Sequence, residues 1–368
     1  MSISTFGPAP AFDAQESVFS RSFAILEAAI QTQAFPGAAI AVAQQGQLVA
    51  QRGFGRFTFD PQSPPVERDS VFDLASVSKA VATTSMAMIL YERGLLDLDL
   101  PLASMAPEFA GDDPRRLRVT LRQLLAHSSG LPAYEKLFQR ARSPEELLSA
   151  AFSVPLARDP GQKAEYSDIG FILLGVSLER LADEKLDRFC RREIFGPLGM
   201  TRSTFVPPQS WRELAVPTAD DRTFRHRVIQ GEVQDENASV LGGVAGHAGL
   251  FGTAGDLATF AQVLLSGAAV FRPATVSLFT RRQTSPSGTS RALGWDTPSA
   301  PSQSGKMFSA RAYGHLGYTG TSLWIDPERQ ISVTLLTNRT WPDCTNQAIK
   351  QVRPAFHDAL MQELGVIG

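Results

Sequence analysis

The sequence lacks any hydrophobic run long enough to cross a membrane. No stretch of 18 apolar residues occurs among its 368 residues, which argues against a membrane-spanning helix. Residues 1–19 contain no basic segment followed by an apolar one, so no secretion signal is visible. We therefore expect a cytoplasmic protein if Met1 is the natural start, and a periplasmic one if an export signal has been removed.

The chain also has almost no net charge. Its 35 lysines and arginines are offset by 37 acidic residues, for a net charge of -2. This balance leaves no excess of cations for a phosphate backbone or an anionic lipid surface, so we expect neither nucleic acid nor membrane as a partner. A hydrophobic content of 43% is typical of a globular protein, and 368 residues exceed what one core usually serves. The length therefore predicts two lobes.

Cysteine is scarce, and the common cofactor motifs are absent. Cys190 and Cys344 lie far apart, and no Cys-x-x-Cys pair exists to hold zinc. One disulfide is an alternative, but we favour two buried thiols in a reducing compartment. The sequence has no His-Glu-x-x-His and no phosphate-binding P-loop, so we expect no metal and no cofactor. It has no Gly-x-Ser-x-Gly either, which argues against the α/β-hydrolase fold.

The pattern of apolar residues predicts one sheet flanked by helices, with a helical insertion. The middle of the chain, from about residue 100 to 240, shows helical segments, proline-rich loops and little β signal. We predict an α/β lobe from 1–75 and 245–368 and a helical lobe from 76–244. The predicted elements are a helix over 14–33, a hairpin around Gln45-Gly46, a buried helix from Ser76 to Gly94, a capped helix over 253–267, two or three strands over 312–338 with a turn at 326–329, and a closing helix within 342–364.

One short stretch carries a candidate nucleophile. In "LASVSKAV", residues 74–81, Ser76 lies three positions before Lys79, the one lysine of six with that spacing. Residues i and i+3 share a helix face, with Cβ atoms about 5–6 Å apart. Burial and the positive end of the helix dipole both lower a lysine pKa, which suits Lys79 to accept the Ser76 proton. A solvated lysine beside an ordinary serine is the alternative, and the apolar surroundings disfavour it.

Two further stretches supply polar groups at the ends of predicted elements. Tyr166, in "AEYSDIGFILLG", follows a Pro-Gly turn and precedes an apolar helix; it either shares the proton transfer or packs its ring at a loop edge. In "GHLGYTG", the glycines of a strand edge let a substrate approach backbone N–H groups that stabilise an oxyanion. His315 is a polar anchor there, or a strand histidine bonded to a backbone carbonyl.

Two other histidines, His127 in "LLAHSSGL" and His247 in "GVAGHAGLF", lie in tight turns rich in glycine or serine. Such turns need local hydrogen bonds, so we interpret both histidines as structural.

Taken together, these stretches resemble the serine β-lactamase and penicillin-binding-protein superfamily. The closer likeness is to the branch of class C β-lactamases, D-Ala-D-Ala carboxypeptidases and family VIII carboxylesterases. Five fragments match in order over most of the chain: 71–102, 119–134, 164–175, 241–265 and 313–328. The resemblance implies an α/β lobe with an antiparallel sheet, an all-helical lobe, and a cleft between them.

The resemblance also implies roles for particular residues. Ser76 is the nucleophile, Lys79 its partner, and Tyr166 the general base and later the acid. His315-Leu316-Gly317 stands where the family has Lys-Thr-Gly, His-Thr-Gly or a related triplet. The oxyanion hole is then formed by the backbone N–H groups of Ser76 and Tyr318.

Two positions depart from the family pattern. Asp168 stands where asparagine is usual, and an ionised carboxylate cannot donate a hydrogen bond to a substrate acylamino group. Beside Lys79, it is expected to hold the ammonium form and raise the lysine pKa, which shifts the base role towards Tyr166. Leu316 replaces a hydroxyl residue that would bind a substrate carboxylate. Both changes weaken the antibiotic-hydrolysing interpretation and leave the acyl-transfer residues intact.

The sequence therefore predicts a serine hydrolase that acts through a covalent acyl-enzyme on small esters or amides. The alternative is a β-lactamase or a D-Ala-D-Ala carboxypeptidase acting on a β-lactam or peptide, and an acyltransferase or a non-catalytic binder ranks below both. The predicted substrate-binding residues are Asp168, His315, Gly317, Tyr134 and Trp295, although core packing explains Trp295 about equally well. No oligomeric state is predicted.

Overall fold

A five-stranded antiparallel sheet forms the centre of the structure, a computed structural model that describes residues 7–9, 12–267 and 270–366. The strands are β1 (Gly37–Gln44), β2 (Gln47–Gly55), β3 (Phe72–Asp73), β4 (Thr204–Phe205), β5 (Ala219–Asp221), β6 (Arg227–Ile229), β7 (Leu250–Gly252), β8 (Tyr313–Leu316), β9 (Ser322–Asp326) and β10 (Ile331–Thr337). The central sheet has the order β2-β1-β10-β9-β8, with each neighbouring pair antiparallel. The antiparallel sheet that the resemblance implied is therefore confirmed.

Turn chemistry explains the two tight connections in this sheet. Gln45 and Gly46 both have positive φ, 51° and 78°, as the two-residue turn of a twisted hairpin requires. Between β9 and β10, the Asp326 carboxylate accepts from the backbone N–H groups of Glu328 (3.1 Å) and Arg329 (3.2 Å). Both turns lie where the sequence predicted them.

Helices cover both faces of the sheet. The α-helices of the described part of the chain are α1 (Gln15–Val18), α2 (Ser20–Gln31), α3 (Ser85–Glu92), α4 (Leu102–Met105), α5 (Leu121–Leu125), α6 (Pro144–Phe152), α7 (Asp168–Ala182), α8 (Leu186–Cys190), α9 (Glu236–Val240), α10 (Ala254–Ser266), α11 (Pro273–Thr280) and α12 (Ile349–Glu363). Helices α2 and α12 pack together on one face, and α10 packs on β1 and β10. The predicted capped helix is confirmed: Thr253 caps α10 by accepting from the Asp256 N–H (3.2 Å), and Gly267 ends it with φ 64°.

The middle of the chain is mainly helical but not wholly so. Helices α4 to α9 lie in it, as predicted, together with the short strands β4, β5 and β6. The predicted fold class is confirmed, and the short strands are an addition, because two- and three-residue strands leave too short an alternating pattern to recognise in the sequence. The lobe boundaries at 75/76 and 244/245 stay predictions.

The helix that follows Ser76 is buried along nearly all of its length. It continues from Val77 through a π-helical segment, Lys79–Thr84, into α3, and Gly94 follows its end with φ 70°. Every residue from Val77 to Leu90 is buried. The predicted buried helix is thus confirmed, and its π-helical part is an addition that the sequence did not indicate.

The two cysteines are both free, but only one is buried. Cys190 is buried at the end of α8, whereas Cys344 is exposed in the loop between β10 and α12. The expectation of two buried thiols is therefore wrong for Cys344, because that loop faces the cleft described below. No helix within the described ranges is both long and apolar enough to span a bilayer.

Candidate active site

Three side chains predicted to act together meet at one oxygen. Ser76 Oγ lies 2.9 Å from Lys79 Nζ and 2.6 Å from Tyr166 Oη. Ser76 belongs to the turn before the buried helix, and Tyr166 to the loop just before α7. The structure therefore brings the candidate nucleophile within hydrogen-bonding distance of both candidate proton carriers. Their catalytic roles stay predictions.

The turn that presents Ser76 has a strained backbone. Ala75 has φ 47°, a left-handed conformation that is uncommon for a residue with a side chain. The Asp73 carboxylate stabilises this turn by accepting from the Ala75 N–H at 2.8 Å, and it also accepts from the Gln234 N–H at 2.7 Å. Burial raises the pKa of Asp73 to about 6. Asp73 thus fixes the backbone on which the serine stands.

Lys79 has three oxygen neighbours. Its Nζ lies 2.9 Å from Ser76 Oγ, 2.7 Å from the His247 carbonyl oxygen and 2.6 Å from Asp168 Oδ1. An ammonium group donates to all three, whereas a neutral amine donates to two and accepts the proton of Ser76. The same geometry therefore serves both protonation states of the lysine.

Burial decides the direction of both pKa shifts at this centre. The pKa of Lys79 is lowered, because desolvation of the buried amine outweighs the opposing effect of Asp168. The pKa of Tyr166 is raised well above its usual value by burial and by the Asp168 carboxylate. The sequence predicts that Asp168 raises the lysine pKa and moves the base role to Tyr166. The Asp168 carboxylate does act to raise the pKa of Lys79, but burial outweighs it, so the net shift is downward. The raised tyrosine pKa argues against a base role for Tyr166.

Tyr166 is held in place by the turn at His127. The Ser167 N–H donates to His127 Nδ1 at 3.0 Å, and the imidazole ring packs 4.7 Å from the tyrosine ring. The phenol hydroxyl has Ser76 Oγ at 2.6 Å and Asp168 Oδ1 at 3.1 Å, and its single proton serves one of them at a time. His127 thus makes the local hydrogen bond expected of a structural histidine, and it supports the tyrosine as well.

Two backbone N–H groups belong to residues that line the same cleft, Ser76 and Tyr318. Neither the Ser76 N–H nor the Tyr318 N–H donates to any acceptor in the described part of the chain. The hydroxyl groups of Thr319 and Thr321 donate to the carbonyls of Asp73 (2.8 Å) and Leu74 (2.9 Å), which ties the β8–β9 turn to the segment before Ser76. This arrangement suits an oxyanion hole, the role that the resemblance implies.

The site opens into a cleft of about 1000 Å³. Of the predicted substrate-binding residues, Asp168, His315, Gly317 and Tyr134 line it, as does Tyr318. His315 Nδ1 lies 2.8 Å from the Leu316 carbonyl oxygen, and burial lowers the pKa of His315 to about 3. The imidazole is therefore neutral near pH 7: Nδ1 donates to that carbonyl, and Nε2 is an acceptor with no partner in the described residues.

Trp295 does not line the cleft. Its indole is 1% exposed and packs 5.1 Å from the ring of Tyr313 and 6.5 Å from that of Phe260. The prediction of a substrate contact at Trp295 is therefore wrong, because the indole fills the core between β8 and α10. This is the packing explanation that the sequence left open.

Sequence reasoning missed several groups at the site. Arg291 lines the cleft with its guanidinium 5.6 Å from the ring centre of Tyr166, and it pairs with Asp296 at 3.5 Å. Asp235 binds His247 Nε2 at 2.8 Å, so the histidine whose carbonyl faces Lys79 is itself anchored. No local pattern marks these residues, because only the tertiary fold brings them to the serine. Among the described residues, no group of three or more His, Cys, Asp or Glu side chains is arranged to hold a metal ion.

A serine beside a buried lysine, a tyrosine and two free N–H groups is the arrangement that a serine hydrolase of the acyl-enzyme type requires. The profile of the Beta-lactamase family matches residues 23–353. This chain belongs to that family and is a serine hydrolase. An N-acetylmuramyl-L-alanine amidase of Bacillus subtilis (strain 168) is 31% identical to it over 348 residues, covering 83% of this chain and 77% of the amidase.

Solved structures share the fold. EstCE1, a hydrolase with promiscuous acyltransferase activity, superposes with a TM-score of 0.76 at 22% identity, covering 94% of this chain and 100% of EstCE1. A penicillin-binding protein homologue from Caulobacter crescentus superposes with a TM-score of 0.76 at 20% identity, covering 94% and 97% of the two chains. At these identities the likeness shows the fold alone.

Proposed function

We propose that this protein is an esterase-like hydrolase that cleaves small esters or amides through an acyl group carried on Ser76. The observation that carries the proposal is the position of Ser76 Oγ, 2.9 Å from Lys79 Nζ and 2.6 Å from Tyr166 Oη, beside two free N–H groups. A base, an acid and an oxyanion hole around one hydroxyl are the parts that acyl transfer requires.

In the acylation step, the neutral Lys79 amine takes the proton of Ser76 as Oγ bonds to the substrate carbonyl carbon. The N–H groups of Ser76 and Tyr318 stabilise the negative charge on the carbonyl oxygen. When the bond to the leaving group breaks, Tyr166 donates its hydroxyl proton to the leaving oxygen or nitrogen. The raised tyrosine pKa supports this acid role, because the phenol is protonated near pH 7.

The proton left on Lys79 then replaces the one that Tyr166 gave away. Both groups lie against the same oxygen, Asp168 Oδ1, at 2.6 Å and 3.1 Å, so the transfer has a short path. Deacylation follows the same steps with water in place of the serine hydroxyl. It releases the carboxylic acid product and restores the Ser76 hydroxyl. The cycle closes without a metal or an added reductant.

Two residues favour a small ester over a β-lactam. Asp168 Oδ1 is occupied by Lys79 and Tyr166, and a carboxylate has no proton to donate to an acylamino group. Leu316 offers no hydroxyl for a substrate carboxylate, and its side chain packs against the core beside α12. The reacting groups themselves require neither feature.

The test is a panel of 4-nitrophenyl esters and nitrocefin, with the protein and its Ser76→Ala variant. We expect ester turnover to exceed nitrocefin turnover, and kcat/KM for the ester to fall by roughly 10⁴-fold or more in Ser76→Ala. Ser104→Ala, the same change at an exposed position on α4, is the matched control and should keep full activity. Ester turnover that survives in Ser76→Ala would show that the nucleophile is misassigned.

The second candidate is a hydrolase of β-lactams or peptidoglycan amides. It is favoured by Arg291, a guanidinium in the cleft beside Tyr166 that has the charge to bind a substrate carboxylate, and by the name of the Bacillus subtilis relative. High nitrocefin turnover, or release of a peptide from an N-acetylmuramyl-L-alanine peptide, would put this candidate first.

Two further measurements distinguish the proposed hydrolase from an acyltransferase and from a protein that only binds its ligand. The mass of the intact protein after mixing with an ester should rise by one acyl group in the wild type and stay unchanged in Ser76→Ala. A binding protein would form no adduct in either. An ester product that dominates hydrolysis when a primary alcohol is added would identify an acyltransferase, because the alcohol then outcompetes water for the acyl-enzyme.

A further inference from the structure

One end of the cleft carries positive charge without a counter-ion, on two buried arginines and an exposed lysine. Arg339, Lys350 and Arg353 line this end, which we call the cationic end. None of the three lies within 4.0 Å of a carboxylate in the described part of the chain. Two other cations of the cleft are paired, Lys79 with Asp168 at 2.6 Å and Arg291 with Asp296 at 3.5 Å.

Arg353 is the central residue of the cationic end. It lies in the second turn of α12 and is 4% exposed. Its Nη1 donates to Gln303 Oε1 at 3.0 Å, and its Nε has no partner among the described residues. Burial and, secondly, the charge of Arg339 lower the pKa of Arg353 to about 9, and no acidic group offsets the two effects. An unpaired buried guanidinium is costly, so its presence in a cleft indicates a missing anionic partner.

Arg339 connects the cationic end to the reaction centre. Its Nε donates to the Tyr318 carbonyl oxygen at 2.7 Å, and its Nη1 donates to the carbonyls of Cys344 (3.1 Å) and Asn346 (3.3 Å). The Tyr318 residue that it holds also supplies one N–H of the candidate oxyanion hole. An anion bound here would therefore lie on the β8–β9 side of the bond to be cleaved.

We infer that the cationic end is a subsite for an oxyanion of the substrate, a carboxylate or a phosphate, bound by Arg353 with Arg339 and Lys350. The inference rests on the proposed function, because the cleft is the one that contains Ser76. Guanidinium groups match carboxylate and phosphate oxygens with paired hydrogen bonds, and burial strengthens those bonds. The natural substrate is accordingly an ester or amide that carries an acidic group.

Matched pairs of esters test the subsite. On the acyl side, 4-nitrophenyl hemisuccinate, hemiglutarate and hemiadipate are compared with neutral 4-nitrophenyl valerate. On the leaving-group side, 4-acetoxybenzoate is compared with its methyl ester. We expect an anionic member to have the higher kcat/KM in the wild type, and Arg353→Gln to lower that anionic-to-neutral ratio by about 10-fold or more. Lys136→Met removes a cation from the helical side of the same cleft and should keep the ratio.

Thermal unfolding provides a readout that does not need turnover. Glutarate and inorganic phosphate should each be tried, since they separate a carboxylate site from a phosphate site. We expect one of them to raise the Tm of the wild type and of Lys136→Met but not that of Arg353→Gln. Without added anion, Arg353→Gln should melt at or above the wild-type Tm, because it removes an unpaired buried charge.

The outcomes separate the subsite from the proposed function. An unchanged anionic-to-neutral ratio in Arg353→Gln, or equal stabilisation of wild type and variant by both anions, would overturn the subsite. A Tm of Arg353→Gln below the wild-type value without anion would also count against the subsite. It would indicate that Arg353 stabilises the fold through its hydrogen bond to Gln303. If Arg353→Gln does not fold, Arg353→Lys takes its place, and a retained anion preference then supports the subsite. Neutral ester turnover that persists in Ser76→Ala would instead overturn the proposed function.

Discussion

At the scale of single residues, Lys79 is the group on which the proposed chemistry depends. Burial lowers its pKa and makes the neutral amine accessible, while the Asp168 carboxylate 2.6 Å away favours the ammonium form. The same carboxylate raises the pKa of Tyr166. Asp168 therefore raises the pH at which Lys79 and Tyr166 each lose a proton. In the proposed mechanism, this carboxylate sets the pH range in which the site is active.

Asp168→Asn should move the whole pH profile to lower pH. The neutral amine is the active form of Lys79, so kcat/KM rises as pH passes the lysine pKa and falls when Tyr166 loses its proton. Removing the carboxylate lowers both pKa values, and each limb should shift down by about 1–3 pH units. The measurement is kcat/KM for a neutral ester across the pH range in wild type and variant.

A matched comparison uses His315→Gln. Burial lowers the pKa of His315 to about 3, so the imidazole is already neutral where Lys79 titrates, and the acidic limb should keep its position. An acidic limb that stays in place in Asp168→Asn, or that moves with His315→Gln, would show that Lys79 is not the titrating base.

Some of these residues were predictable and others were not. Ser76 and Lys79 are three positions apart, so the local helix itself brings them together, and spacing was enough to find them. Arg291 and Arg353 reach the cleft only through the packing of distant segments. Trp295 shows the opposite error, since an aromatic residue near a motif in sequence was assigned to the cleft although its ring fills the core.

At the scale of elements, the backbone of α7 lies in close contact with the loop before β7. This contact positions the His247 carbonyl oxygen, which accepts a hydrogen bond from Lys79. A Cβ at Gly175 would lie 2.7 Å from Gly246 Cα, and one at Gly246 would lie 2.1 Å from the Phe171 carbonyl oxygen. The next residue, His247, offers its carbonyl to Lys79 at 2.7 Å. The sequence predicted a turn at His247, but not its partner helix, because a turn motif carries no information about what packs against it.

Gly175→Ala should therefore disturb the active site from within α7. The added methyl group pushes the 246–247 backbone away, which should destabilise the fold by about 1–3 kcal/mol and lower kcat as Lys79 loses its acceptor. Gly170→Ala is the matched control in the same helix, since its Cβ would make ordinary contacts at 3.5 Å and alanine favours a helix. Urea unfolding and ester kinetics on both variants check this. Equal effects of the two substitutions would contradict the proposed contact.

The accuracy of the element predictions depended on how local each signal was. The β1–β2 hairpin and α10 carry their own turn and cap residues, and both were found. The π-helical segment Lys79–Thr84 has the same apolar pattern as an α-helix, so its wider hydrogen bonding was invisible in sequence. That segment begins at the active-site lysine, in keeping with the frequent occurrence of π-helical turns at functional sites.

At the scale of the whole molecule, the hydrophobic core is divided by the sheet and not by the boundary between the predicted lobes. One cluster joins Ala39 and Ala41 on the sheet, Leu257 on α10, and Leu147 and Leu178 in the helical segment. A second cluster lies on the other face of the sheet, with Phe23 of α2 and Phe356 of α12. The division into two lobes stays a prediction from chain length, and length alone does not tell whether the lobes share a core.

This shared core predicts that the protein unfolds in one cooperative transition. Among the described residues, no buried cluster lies wholly within the helical segment. The calorimetric and van't Hoff enthalpies should therefore agree, and far-UV circular dichroism and tryptophan fluorescence should give coincident urea curves. Leu178→Ala, a fully buried truncation in α7, should lower the stability by about 2–5 kcal/mol and move both curves together. Two resolved transitions, with Leu178→Ala shifting one alone, would mean that the helical lobe holds itself together and that the cleft lies between independently stable halves.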